Sequence, residues 1–189
     1  MNALMTMAAG LSGAARLAFG KPDGAGLVGG DRLSAIRSFW AIPMALPSLV
    51  CRLLTAWAVD GVPANAGRVM GRELIVFIVG WLLFIEITHR IVPLMGRGER
   101  WPRFIALWNW CNVVEGALIV LGGLPALLGA PPILAQAAEL ITIGWALWLE
   151  WFATRLALGV SVSGAISFVL LDQVIGIILA MVAITLGGK

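Results

Sequence analysis

Five apolar stretches run through this chain, and each carries at least one ionisable side chain. Arg52 lies in the first, and Glu86, His89 and Arg90 in the second. Glu115 lies in the third, Glu139 and Glu150 in the fourth, and Asp172 in the fifth. A charge placed in hydrocarbon costs at least ~2.5–3.5 kcal/mol on insertion scales, so such groups face a bundle interior and find partners there. Carboxyls outnumber the cations able to reach them around Glu86, Glu115 and Asp172. Buried acids of this kind suit a proton or cation relay, or else interhelical hydrogen bonds that hold a bundle together.

The amides extend that polar set. Asn109, Asn112, Glu115 and Gly116 recur at helical spacing and form one narrow stripe. Counting rise from the span ends places Glu86 and Asp172 each ~12 Å deep, with Asn112 at a similar level and His89 and Asn109 nearer the same boundary. These six, Glu86, His89, Asn109, Asn112, Glu115 and Asp172, are the expected polar core. Toward the opposite boundary Arg52 and Glu139 come out ~9–12 Å deep, which predicts a structural ion pair between them. Arg97, Arg100 and Arg103 cluster in one loop, where they set orientation and suit contact with anionic lipid headgroups.

Other chemistries lack their parts. A single histidine and two isolated cysteines, Cys51 and Cys111, make no metal site, and nothing calls for a cofactor. The chain has no GxSxG elbow, HExxH helix or Walker loop, so no catalytic residue is assigned. Gly24, Gly26 and Gly29 stand at GxGxxG spacing, but a dinucleotide site needs a preceding strand, and this segment reads as a flexible linker. The net charge of +3 follows from loop arginines and indicates no nucleic-acid partner.

The elements that must position these groups follow from composition. Of 189 residues, 60% are hydrophobic and only 12% charged, more apolar surface than a soluble domain of this size can hide. The fold class is all-α, a polytopic bundle with spans at roughly 38–59, 73–94, 104–125, 133–154 and 164–185, each long enough for a ~30 Å core. Residues 38–189 form the transmembrane domain, and 1–37 an N-terminal segment. In that segment Leu4, Met7, Leu11, Ala15 and Phe19 share a helical face, predicting a short interfacial helix weakened by Gly10 and Gly13. Pro43 and Pro47 predict a kink in the first span. Arginine bias puts the N-terminus in the cytoplasm and the C-terminus outside, in a bacterial inner membrane.

Certain runs resemble a known family. Arg37-Ser-Phe-Trp-Ala-Ile-Pro-Met-Ala-Leu-Pro47 and Arg103-Phe-Ile-Ala-Leu-Trp-Asn-Trp110 look like segments of small alphaproteobacterial membrane proteins. Trp145 through Trp151, then Ala157-Leu-Gly159, Ala165-Ile166 and Leu171-Asp172, are similar to the last two spans of Yip1-like proteins. That resemblance implies a non-enzymatic protein that binds membrane partners, lipids or a second copy of itself. The buried acids point to the alternative, a small transporter or channel coupled to protons.

Overall fold

In the computed structural model, which describes residues 3–187, helices follow one another with short connections. The order is α1 (Ala3–Ala18), α2 (Gly24–Leu27), α3 (Arg32–Ser38), α4 (Ala41–Asp60), α5 (Ala66–Leu94), a 3-10 turn (Gly98–Arg100), α6 (Trp101–Leu127), α7 (Pro132–Leu158) and α8 (Val162–Gly187). Five units are long and apolar enough to cross a membrane: α3 with α4, α5, the turn with α6, α7, and α8. The chain is thus an all-α multi-pass membrane protein. Short loops force consecutive spans to run antiparallel. One end of the bundle therefore carries α1 and α2, and the other carries the α4–α5 and α6–α7 loops.

The centre of the bundle is α6. It packs against α1, α3, α4, α5 and α7, while α8 rests on α5 and α7. Every residue from Phe104 to Cys111 is buried, so this stretch has no solvent or lipid face at all. A helix that is apolar all round is one enclosed on all sides, and the sequence of α6 fits that rule. Phe84 stacks on Trp108 with ring centroids 4.4 Å apart, and Trp81 meets Trp108 edge-on at 5.4 Å. Those rings pack α5 against α6.

Helix ends are set by local chemistry. Asp31 caps α3 by accepting the Ser34 N–H at 2.7 Å. The residue after α7 is Gly159 at φ 64°, a left-handed conformation that only glycine adopts cheaply. The prolines of the first span act as expected, with a difference of place. Pro43 has no N–H to return to Phe39, and the break falls just before it, at Phe39–Trp40, between α3 and α4. Pro47 lies within α4.

The N-terminal segment forms the expected helix, α1, and packs it on the bundle. There α1 is docked against α6, and its buried residues are Thr6, Gly10, Gly13, Ala14, Leu17 and Ala18. Leu4 and Phe19, on the face expected to seek lipid, are 74% and 73% exposed. The docking rests on shape. Gly10 lies so close to the Trp110 indole that a Cβ there would overlap the ring. Small residues let helix backbones approach, and α1 meets α6 through them. The glycine-rich stretch is not a flexible linker: Gly24 opens α2 and abuts Gly13, each leaving no room for a side chain on the other.

Candidate functional site

The stripe on α6 delivers Asn112, Glu115 and Gly116 to a cavity of about 420 Å³ that every span helps to line. Ser48 and Arg52 come from α4, Phe77 from α5, Glu150 from α7 and Gln173 from α8. Gly116 is what lets α4 come in: a side chain there would collide with Ser48 Oγ. On α7 the residues Ile143, Ala146 and Glu150 face the cavity because they lie one turn apart, at i, i+3 and i+7. Two further cavities adjoin it. One of about 450 Å³ opens toward the α4–α5 end and shares Arg52, Ile119 and Ile143. Another of about 390 Å³ contains Asp172 and shares Phe77, Asn112 and Gln173.

Charge in this space is one-sided. Glu115, Glu150 and Asp172 act electrostatically on one another across α6, α7 and α8. Oε1 of Glu115 and Oε1 of Glu150 are buried and have no hydrogen-bond partner. The Trp108 indole approaches Glu150, yet its N–H closes no hydrogen bond of ordinary geometry. Arg52 borders the cavity, but its guanidinium pairs with Glu73 at 3.7 Å. Unsatisfied carboxyls in a low-dielectric interior attract protons and cations strongly. Among the described residues, no three acidic, histidine or cysteine side chains converge closely enough to chelate one metal ion. The arrangement therefore suits a proton or a singly charged cation.

Several expected members of the polar core lie elsewhere. Glu86 faces outward and pairs with Arg90 one turn on, at 2.6 Å, with both side chains more than half exposed. His89 is exposed and meets Trp101 edge-on at 4.6 Å. Glu86 points away from the buried residues of α5, Trp81, Phe84, Ile85 and Thr88, whereas His89 lies on the flank of that face, one turn beyond Ile85. Asn109 is fully buried but serves as a staple. Its Oδ1 accepts the Trp81 indole N–H at 2.7 Å, and its Nδ2 donates to Ser38 Oγ at 2.7 Å. Ser38 Oγ in turn donates to the Ala35 carbonyl, so α3, α5 and α6 are tied together. Asn112 donates to the Trp108 carbonyl of its own helix and lines the cavity.

The ion pair of Arg52 is also corrected. Its partner is Glu73, not Glu139, although Arg52 and Glu139 line the same outer cavity. The second span starts at Ala66, so Glu73 lies seven residues, about 10 Å, inside the helix, level with Arg52. Arg72 adds a second cation on Glu73, at 3.0 Å.

The loop arginines turn inward. Arg97 and Arg100 both donate to the Leu158 carbonyl, at 2.6 and 3.1 Å, and so cap the C-terminus of α7. Arg103 donates to the Ala25 carbonyl at 3.0 Å and anchors α2. Guanidinium groups at the C-terminus of α7 satisfy free carbonyls and oppose the helix dipole.

Glu150 is the member that sequence reasoning left out. Its signal was present in the stripe with Ile143 and Ala146. Because α7 continues to Leu158, Glu150 lies about 12 Å from the helix end rather than at the boundary. Compared with family models, curated proteins and solved structures, the chain has no match in any of the three. Its functional reading rests on this geometry.

Proposed function

We propose that this protein binds a proton or a small singly charged cation at Glu115 and Glu150 and passes it along the interior, as a small transporter or channel does. The observation that carries this reading is the pair of buried, unpartnered carboxyl oxygens in a cavity bordered by all five spans. Packing a structural bundle does not call for such a space, because acids kept as glue are hydrogen-bonded. The outer cavity adjoins the carboxyl cavity at Arg52, Ile119 and Ile143, which gives a path from the α4–α5 end past Arg52, whose charge Glu73 offsets. Stacked Phe84 and Trp108 stand toward the α1 end. We read the outer cavity as the entrance to the carboxyls, as in one conformation of an alternating-access cycle. In the orientation set by arginine bias, the open side faces outward across a bacterial inner membrane.

The test is proton uptake into proteoliposomes carrying an internal pH dye, driven by a potassium diffusion potential. The parent protein conducts, and Glu115→Gln or Glu150→Gln lowers the rate about tenfold or more, a loss equal to ~1.4 kcal/mol of barrier per factor of ten. Glu86→Gln leaves it unchanged. A parent protein with no uptake of protons or monovalent cations overturns the reading.

One observation favours a second role, the interaction function that the Yip1-like resemblance implies. Glu86 and Arg90 form a charged pair on the outward face of α5, about 12 Å and 6 Å from Leu94. Ion pairs gain from a protein neighbour more than from lipid. Cross-linking from a cysteine placed at His89 in intact membranes tests this, and recovery of the uncross-linked chain alone counts against it.

A further inference from the structure

A different part of the molecule has the shape and charge of a lipid site. Where α5 passes α8 at Gly80 the helices touch, and a Cβ there would stand 3.4 Å from Leu179 Cδ1. Toward the start of α5 they part. Around Gly71 a Cβ would meet nothing within 4 Å, and the gap widens into a groove of about 720 Å³. Its walls are apolar: Ile75, Val76 and Val79 on α5 face Leu179 and Val182 on α8. Its mouth is not apolar, for Arg68 and Arg72 stand there with Asn65.

The two arginines differ in how they are held. Arg72 donates to Glu73, yet its buried Nε has no partner. Arg68 makes no ion pair or hydrogen bond among the described residues and is exposed. Both lie in the first two turns of α5, about 3–9 Å from its start, the depth at which lipid phosphates meet a spanning helix. An apolar trough in the bilayer that ends at the unpaired Arg68, with Arg72 beside it sharing Glu73 with Arg52, is complementary to an amphiphile with an acyl chain and an anionic head. Arginine forks match phosphate oxygens in geometry as well as charge.

We propose that the α5–α8 groove seats an acyl chain of an anionic phospholipid whose phosphate is held by Arg68 and Arg72. The occupant is a membrane lipid rather than a soluble anion, because most of the groove is hydrocarbon-facing wall. The proposal does not depend on cation passage, since the groove and the carboxyl cavity share no lining residue.

The test is native mass spectrometry of the full chain, released from detergent after titration with dioleoylphosphatidylglycerol or with dioleoylglycerol, which has the same chains and no phosphate. The parent binds the phospholipid about fivefold more tightly, the value of roughly one arginine–headgroup contact at a membrane surface. Arg68→Gln removes that preference and leaves dioleoylglycerol binding as it was. Gly71→Leu fills the groove and weakens both lipids. Neither change touches the packed core, because Arg68 is exposed and Gly71 faces open space. Equal binding of the two lipids by the parent, or undiminished phospholipid binding by either variant, overturns the proposal. So does a dimer that Gly71→Leu dissolves, which would mean that a second copy fills the groove.

Discussion

The indole N–H of Trp81 donates to Oδ1 of Asn109 at 2.7 Å, across a part of the bundle where both residues are buried. The other side of the same amide reaches Ser38, so one asparagine uses both its polar ends to join three helices. Interhelical hydrogen bonds in membranes contribute about 0.6–2 kcal/mol each. Asn109→Ala is therefore expected to destabilise the protein by about 1–3 kcal/mol, with loss of both bonds and exposure of an orphaned indole N–H. Asn112→Ala costs much less, because its amide donates only within α6. Thermal melts of the two variants in detergent compare them directly, and equal losses would contradict the staple.

The contact between Gly10 and Trp110 makes a sharper steric prediction. Gly10→Val places carbon where the indole already lies, and overpacking of this kind costs typically ~1–3 kcal/mol. Displacement of α1 frees the backbone around Arg16 and Lys21, whose side chains are already exposed, so that trypsin can bind it. Faster cleavage there in Gly10→Val, partly reversed by adding Trp110→Ala, is the expected result. Unchanged cleavage would show that α1 does not depend on this fit.

At the far end of α7, Arg97 and Arg100 share one acceptor, the Leu158 carbonyl. Either arginine alone keeps that carbonyl satisfied. Single alanine substitutions are accordingly mild, and the double substitution costs more than their sum, by about 0.5–3 kcal/mol of coupling. A double-mutant cycle on melting in detergent reads this coupling, and strict additivity would rule out the shared cap.

Asp31 gives a pH dependence outside the membrane. Hydrogen bonding from Ser34, through its side chain and its backbone N–H, holds the Asp31 carboxyl below its ordinary range, with help from Arg37. A carboxylate lowered on folding adds stability above its unfolded pKa, and that stability is lost as pH falls through the lower folded value. The cap therefore persists at neutral pH and fades only in acid. Asp31→Asn keeps a capping oxygen without titrating. Its melting point is expected to change less than the parent's below the usual carboxylate range, and parallel curves would refute the link.

Composition and periodicity were enough to make this a five-span helical bundle, because the pressure to bury apolar length acts on each segment separately. The same local arithmetic placed Asn112, Glu115 and Asp172 at the interior, since a stripe on one helix is a property of that helix. Which stripes meet is not local. Glu86 faces outward and Glu150 faces inward because α5 and α7 are rotated to fit their neighbours, and rotation is decided by packing between helices. Arg52 had two acids at its own depth, and only the α4–α5 connection and its geometry selected Glu73 over Glu139. Gly10 and Gly13 read as weak points in a helix until Trp110 and Gly24 were seen to occupy the space they leave. Single-helix properties were legible in the chain; partner choice belonged to the tertiary structure, because it depends on surfaces that exist only once the helices are packed.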